Sequence, residues 1–130
     1  MVTDAQYRQL LAFRNALRRF DQWSREQARA HDLTHAQHQL LLAVRGSSTQ
    51  GGPTIGEIAD ALLIRHHSAT ELIDRTVDAG LVTRVRDGED SRRVHLTLTP
   101  LGAERLAELT AVHVEELGRL APVFEALPRE

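Results

Sequence analysis

With 130 residues and no apolar run long enough to span a membrane, the chain is expected to form one cytoplasmic domain with no membrane partner. The absence of cysteine excludes disulfide bonds, thiolate metal sites and cysteine-based redox sensing. All 16 basic residues are arginine and the net charge is −2, which argues against indiscriminate binding to polyanions but allows a DNA reader with one positive face.

Three capping boxes predict the starts of the first three helices. Each places Gln or Glu three residues after a threonine: Thr3–Gln6, Thr34–Gln37 and Thr54–Glu57. In a capping box, the two side chains accept hydrogen bonds from backbone N–H groups that the helix leaves unpaired. The apolar spacing that follows predicts helices that end near Ala30, near Arg45 and at Leu62. A Gly- and Ser-rich loop, Gly46–Pro53, precedes the third helix.

A fourth helix is predicted after a tight turn over Leu63–Arg65, and Gly80 is a suitable left-handed residue to end it. At 100° per residue, the apolar side of this helix holds Ala69, Leu72, Ile73, Thr76 and Val77. The polar side holds His67, Thr70, Glu71, Asp74 and Asp78. Two short helices joined by a tight turn, the second of them amphipathic, predict a helix-turn-helix.

Two alternating segments, Leu81–Arg86 and Arg93–Thr99, predict a β-hairpin around the polar loop Asp87–Arg92. Alternation divides the second strand into two faces, with Val94, Leu96 and Leu98 on one and Arg93, His95 and Thr97 on the other. A helix-turn-helix followed by an arginine-tipped hairpin has the layout of a winged helix. The predicted fold is therefore mainly α with a small β-hairpin wing, in the α+β class.

The last helix is predicted to begin at Thr99-Pro100, an N-cap followed by proline at the first helical position. Its apolar residues recur at near-heptad spacing as far as Leu120. Pro122 is expected to kink or restart the helix, because proline lacks the N–H that an interior helical position uses.

Three segments, taken together in their order and spacing, resemble the MarR family. Asp90-Ser91-Arg92-Arg93 followed by Leu96-Thr97-Leu98-Thr99 is similar to the family's wing signature, D-x-R followed by L-x-L-T. Ile73-Asp74-Arg75 with Ala79-Gly80-Leu81-Val82-Thr83-Arg84 resembles the end of its recognition helix, and Leu33-Thr34-His35-Ala36-Gln37 the start of its second helix. The resemblance implies a dimeric winged helix-turn-helix transcriptional regulator, most often a repressor that releases DNA when a small ligand binds.

The same resemblance divides the single domain, residues 1–130, into two functional parts. Residues from about 34 to 99 would bind double-stranded DNA at a pseudo-palindromic operator. Residues from about 3 to 30 and from 100 to 130 would form the helices through which two copies make a homodimer. Their apolar stripes are long for one small domain to bury, which agrees with a dimer. The candidate interface residues are Tyr7, Leu10, Leu11, Leu117, Leu120, Phe124 and Leu127.

The predicted DNA-binding residues come from the helix-turn-helix and the wing: Thr54, Arg65, His66, His67, Ser68, Thr70, Glu71, Arg75, Arg86, Asp90, Arg92 and Arg93. The start of the fourth helix would read base edges in the major groove and offer free N–H groups to a phosphate. By resemblance, Arg92 enters the minor groove while Asp90 holds the wing. Arg86 and Arg93 would then contact phosphates.

The carboxylates near this surface are expected to pair with arginines. Glu71 can accept a hydrogen bond from cytosine N4 or pair with Arg75, in the favoured i,i+4 order on a helix. We predict the pair, because a carboxylate that faces phosphates is costly. Arg84 is a candidate partner for Asp90. Asp74 and Asp78 are expected to pair with arginines away from DNA.

The family's ligand pocket lies between the dimerisation helices and the DNA-binding lobe, a region where this chain has Phe20, Trp23 and His38. This mixture would suit a small aromatic or anionic effector. The alternative, which the sequence favours for Phe20 and Trp23, is an ordinary place in the core or in the dimer interface.

Seven histidines raise the alternative of a metal-responsive regulator. His35 and His38 lie one turn apart near His31, and His113 and Glu116 form a second pair of the same spacing. A usual metal site needs further ligands, so polar surface or pocket histidines are favoured, and neither a metal nor a cofactor is predicted.

An enzyme is not predicted, because the sequence has no nucleophile elbow, phosphate-binding loop or paired catalytic carboxylates. Two alternatives stay open: a ligand-independent DNA-binding regulator, and a helical protein-interaction module that does not bind DNA. Removal of the wing would distinguish the last from a DNA reader, since only the reader would lose affinity.

Overall fold

The computed structural model describes residues 1–90 and 92–126, which form five helices and a two-stranded antiparallel sheet. In chain order, the elements are α1 (Asp4–Ala30), α2 (His35–Gly46), α3 (Ile55–Leu62), α4 (His66–Asp78), β1 (Val82–Arg86), β2 (Val94–Leu98) and α5 (Pro100–Glu125). This order confirms the predicted fold class. Among the described residues, no helix is both long and apolar enough to cross a membrane.

The helix starts follow the predicted caps. In α1, α2 and α3, the N-cap threonine accepts from the N–H of the third helical residue, whose side chain accepts from the cap N–H in return. α5 begins after the N-cap Thr99, with Pro100 in its first position. These bonds join residues three positions apart, so they form wherever the local sequence permits a helix.

The second helix of the helix-turn-helix, α4, is held by its apolar side, whose residues Ala69, Leu72, Ile73 and Thr76 are buried. Gly80 follows with φ of 78°, and its N–H donates to the carbonyl oxygen of Val77 at 2.9 Å. The turn before α4 contains Leu63 in a left-handed conformation, with φ of 57° and an exposed side chain.

Residues of the loop before α3 extend the hairpin at the free edge of β2. The N–H of Leu96 donates to the carbonyl oxygen of Pro53 at 2.9 Å, and Thr54 forms a β-bridge with His95. The ring of His95 lies against this loop, with its Nδ1 atom 2.7 Å from the carbonyl oxygen of Gly52. His95 is therefore only 8% exposed.

Two apolar clusters form the core. One lies between α2, α3, α4 and β2 and includes Leu40 and Ile73, and the other lies between α1, α2, β1 and α5 and includes Leu41 and Leu109. Because the neighbouring residues Leu40 and Leu41 belong to different clusters, α2 packs against both the helix-turn-helix and the long helices.

The last helix, α5, runs without interruption to Glu125, with Pro122 inside its C-terminal end. The prediction that Pro122 restarts the helix is wrong. Its carbonyl oxygen still accepts from the N–H of Ala126 at 3.1 Å, and the missing proline N–H costs a single hydrogen bond near the helix end.

Candidate nucleic-acid interface

The starts of α3 and α4 meet the wing at one cleft. This cleft, about 410 Å³ in volume, is lined by Thr54, His66, Arg92 and Arg93 together with Ile55, Gly56 and Val94. The fold thus brings together four predicted DNA-binding residues that come from three separate segments of the chain.

The N-terminus of α4 differs from the other helix starts. Its N-cap is Arg65, and no side chain makes a capping hydrogen bond there. His66 and His67 are exposed in the first turn, while the Thr70 hydroxyl donates to the carbonyl oxygen of His66 at 3.1 Å. Ser68 is half-buried beside them. The first N–H groups of α4 therefore have no side-chain acceptor of their own, which suits an incoming anion.

Ion pairs on α4 differ in part from the predicted ones. Glu71 lies 3.6 Å from the Nε2 atom of His67, whereas Arg75 was its predicted partner. Asp74 pairs with Arg84 of β1, which agrees with the prediction that Asp74 pairs with an arginine. This pair joins α4 to the hairpin, so the prediction that Arg84 pairs with Asp90 is wrong.

The wing is organised by Asp90. One carboxylate oxygen accepts from the backbone N–H of Arg92 at 3.0 Å and from its Nε atom at 3.3 Å. The N–H of Arg93 donates to the carbonyl oxygen of Asp90 at 3.0 Å. The side chain of Arg92 nevertheless stays 90% exposed. Asp90 thus holds the turn, and Arg92 projects from it. Arg86 lies exposed on β1.

The base of the wing is joined to the loop before α3 through His95, a residue that the sequence did not single out. The Nδ1 atom of His95 lies 2.7 Å from the carbonyl oxygen of Gly52, and its Nε2 atom lies 3.5 Å from a carboxylate oxygen of Asp87. The second Asp87 oxygen accepts from the N–H of Glu89 at 2.9 Å, and this bond, with His95 beside it, lowers the pKa of Asp87. In the sequence, the two glycines before Pro53 were the available signal that the loop approaches β2 closely. A Cβ on Gly52 would overlap the carbonyl oxygen of Leu96.

The three residues of the predicted ligand pocket surround His113 of α5. The His113 ring centroid lies 5.8 Å from Phe20, 4.8 Å from Trp23 and 4.7 Å from His38. Its Nδ1 atom donates to the carbonyl oxygen of Leu109 at 2.8 Å, so the neutral ring accepts from the Ser24 hydroxyl at Nε2, at 2.7 Å. His113 appeared in the sequence only as half of a metal-ligand spacing, and Ser24 gave no signal.

His38 is buried and lies under this cluster. Burial, reinforced by the neighbouring His113, lowers the pKa of His38 to about 4. Burial also lowers the pKa of His35. The Nδ1 atoms of His35 and His38 are buried and make no hydrogen bond within the described part of the chain. Nor do the described residues contain a group of three or more potential ligands that could hold a metal ion.

A cavity of about 520 Å³ lies beside the cluster, between α1 and α5. Phe20 and Trp23 line it with Arg19, Glu116 and Leu120, whereas His38 does not. Two of the three predicted pocket residues therefore face open space, and the third is a packing residue.

Apolar side chains remain exposed along α1 and α5. Five of the residues predicted for the dimer interface are exposed: Tyr7, Leu10, Leu11, Leu117 and Phe124. Leu120 is half-buried, and Leu127 lies outside the described residues. Phe124 also packs edge-to-face on Phe13, with ring centroids 5.4 Å apart, which joins the end of α5 to α1.

The sequence of residues 31–93 matches the sequence model of the MarR family. In this segment the chain is similar to the MarR family. All the predicted DNA-binding residues lie in the matched segment, whereas α1 and α5 lie outside it. Among curated protein sequences, none matches the chain.

Solved structures with the MarR fold resemble the protein over most of its length. A mutant of Staphylococcus aureus MepR is 24% identical with a TM-score of 0.74, over 85% of this chain and 80% of that one. The S. aureus MepR–DNA complex is 22% identical with a TM-score of 0.73, over 94% and 85%. A mutant of Escherichia coli MarR complexed with operator DNA is 23% identical with a TM-score of 0.70, over 90% and 80%. At these identities the likeness establishes the fold.

The match to the MarR family over residues 31–93, and the fold shared with MepR and MarR in their complexes with DNA, support a DNA-binding transcriptional regulator. The resemblance carried by the wing and by the recognition-helix exit is thereby confirmed.

Proposed function

We propose that this protein acts in the cytoplasm as a homodimer that binds a pseudo-palindromic DNA operator and leaves it when a small ligand binds. The observation that carries the proposal is the cleft shared by Thr54, His66, Arg92 and Arg93, where α3, α4 and the wing meet. A helix and an adjoining arginine-bearing loop on one surface can occupy a major groove and the minor groove next to it.

Each part of this surface has a distinct role in the proposal. His66, His67 and Thr70 reach base edges from the first turns of α4, and the uncapped N-terminus of α4 receives a phosphate. Arg92, exposed at the wing tip, enters the minor groove. Arg86 and Arg93 contact phosphates that flank it.

The exposed apolar residues of α1 and α5 support a homodimer. A monomer would leave Tyr7, Leu10, Leu11 and Leu117 in water, and burial of such side chains drives association. In this proposal residues from about 34 to 99 are the DNA-binding lobe, and residues 3–30 and 100–130 make the dimer.

The effector site in this proposal is the cavity between α1 and α5. Phe20 and Trp23 can stack on a small aromatic ring, and Arg19 can receive an anionic substituent. Effector binding would act on DNA through His113, which contacts both this aromatic pair and His38 of α2. Because α2 packs against both core clusters, a shift of His113 would move the long helices α1 and α5 relative to the helix-turn-helix and the wing.

The test is selection of DNA fragments from a random pool by the purified protein, followed by sequencing. We expect half-sites related by a two-fold axis and centred about 10 bp apart, since each subunit reads one half-site. Light scattering at micromolar concentration should give a dimer. A monomer that binds a single half-site with full affinity would contradict the dimer, and failure to enrich any sequence would contradict specific DNA binding.

A further inference from the structure

The side chain of His95 connects two parts of the DNA-binding lobe that are far apart in the chain. It lies on β2, close to the wing, and is almost wholly buried. Its ring is placed between the carbonyl oxygen of Gly52, at 2.7 Å from Nδ1, and the carboxylate of Asp87, at 3.5 Å from Nε2. Asp87 in turn closes the wing, because its N–H donates to the carbonyl oxygen of Arg93 at 2.9 Å.

Both groups that face the ring can only accept a hydrogen bond. A neutral imidazole has one N–H, and Nδ1 must carry it to bond the Gly52 carbonyl. Nε2 would then direct a lone pair toward the Asp87 carboxylate. The imidazolium, with an N–H on each nitrogen, is the one form that donates to both neighbours.

We propose that His95 is a positioning residue for DNA binding, whose imidazolium joins Gly52 to Asp87 and so fixes the wing that carries Arg92. This inference rests on the proposed function. The contact between His95 and Asp87 lies where the two strands meet the loop of the wing. Asp87 is five residues before Arg92, and His95 is three residues after it. When the ring loses its Nε2 proton, the Asp87 side of the joint opens, and the wing arginines lose their fixed position relative to α4.

The other charged groups around the ring come from the hairpin and from α3. Arg86, Glu89 and Arg93 line the same cleft as His95 and Asp87. The carboxylate of Glu57 in α3 accepts a hydrogen bond from the Thr49 hydroxyl of this loop at 2.5 Å. Among the described residues, Asp87 is the carboxylate whose oxygen lies within 4 Å of a His95 nitrogen, so it is the group that senses the ring proton.

The decisive variant is Asp87→Asn. The asparagine oxygen can still accept from the Glu89 N–H, and its NH₂ group can donate to Nε2 of a neutral His95. Gly52, His95 and the asparagine are then joined by hydrogen bonds even when Nε2 of His95 carries no proton. The matched control is Glu89→Gln, which removes one carboxylate from the same loop without touching the ring.

The measurement is affinity for a duplex that the parent protein selects from a random pool, at fixed ionic strength, from pH 5.5 to 8. The parent and Glu89→Gln should lose affinity as pH rises, by roughly tenfold, the scale expected for one charge-assisted hydrogen bond. Asp87→Asn should lose little affinity over the same pH range. His66 and His67 are present in all three proteins, so the difference between the two variants isolates His95. His95→Gln should bind more weakly, with a flatter pH profile, because its amide donates at every pH.

Nitrogen NMR of the His95 ring in the free protein supplies a readout that does not depend on DNA. We expect both ring nitrogens to carry protons at pH 5.5, with amide exchange of Arg92 and Arg93 accelerating as the second proton is lost. A ring that stays neutral throughout, or equal pH profiles for Asp87→Asn and Glu89→Gln, overturns the inference. If the parent selects no duplex, the proposed function fails, and the NMR result still decides whether His95 holds the wing.

Discussion

Arg92 is the residue on which the proposed minor-groove contact depends. Its backbone is held by Asp90, while its side chain is 90% exposed and so adds little to the folded core. A side chain with a fixed base and a free end can enter a groove without the cost of ordering a loop.

We therefore expect Arg92→Ala to weaken operator binding by about 1–3 kcal/mol while leaving the melting temperature unchanged. The loss should be greater on A·T-rich flanks, whose narrow minor groove attracts arginine, than on G·C-rich flanks. Asp90→Ala should cause a smaller loss, because it frees the wing without removing the contact. A salt-titrated binding series on matched flanks measures both.

The control is Arg25→Ala, which removes an exposed arginine of α1, paired with Asp21, away from the wing. It should bind DNA like the parent. If Arg92→Ala also binds like the parent on both kinds of flank, Arg92 is an ordinary surface charge and the central assignment is wrong.

His38 links burial to pH-dependent stability. Its pKa is about 4 in the folded protein, against an ordinary value of 6.5, so the unfolded chain binds the proton more readily. The free energy of unfolding should be highest above about pH 6.5, should fall by on the order of 3 kcal/mol as pH drops toward 4, and should level off below that.

Denaturant unfolding of the parent and of His38→Gln between pH 7 and pH 4.5 checks this. The variant should lose part of the pH dependence, whereas His31→Gln, which changes a half-buried histidine before α2, should keep it. Equal slopes for the parent and His38→Gln would show that His38 does not carry the effect.

At the scale of elements, the hairpin and α5 are joined at a close backbone contact. The N–H of Thr99 donates to the carbonyl oxygen of Leu81 at 3.0 Å, and its hydroxyl donates to the carbonyl oxygen of Gly80 at 2.6 Å. A Cβ on Gly102 would overlap the Leu81 carbonyl oxygen. Since that atom belongs to the backbone, the contact cannot relax by a side-chain rotation.

Gly102→Ala should therefore destabilise the fold by about 2 kcal/mol or more, through overpacking at this joint. Gly118→Ala is a matched control on the same helix, because nothing lies within 4 Å of its added Cβ. It should stabilise the helix by about 0.5–1 kcal/mol, the helical advantage of alanine. Thermal unfolding of the two variants, measured in parallel, checks this prediction. Melting temperatures that shift in the same direction would contradict the assignment.

For the whole molecule, the exposed apolar side chains of α1 and α5 determine whether two copies associate. Leu117 is 45% exposed in the isolated chain, so a charge there is tolerated by the monomer. In a dimer that covers it, an unpaired carboxylate would cost several kcal/mol, in the range of about 3–5.

We expect Leu117→Asp to give a folded monomer by circular dichroism and light scattering. Leu42→Asp changes a similarly exposed leucine, 50% exposed, on α2 rather than on the long helices, and should remain a dimer. A dimer that persists in Leu117→Asp would place the interface elsewhere, and loss of the dimer in both variants would show that the effect is not specific to α5.

The sequence by itself determined the features that depend on near neighbours. The capping threonines Thr3, Thr34, Thr54 and Thr99 bond residues three positions away, so the helix starts followed directly from their spacing. The wing was equally local, because Asp90 holds the backbone of Arg92 two residues later. The fold class could be predicted for this reason.

The tertiary structure decided the contacts between residues distant in the chain. Ser24 and His113 are 89 positions apart, and Gly52 and His95 are 43 apart, so no periodicity relates the partners. Alternation placed His95 on the strand face opposite Leu96 but could not show its burial, because alternation describes one strand and the loop that buries His95 comes from before α3. Arg84 pairs with Asp74 rather than Asp90 for the same reason: the packing of the hairpin on α4 sets which charges meet.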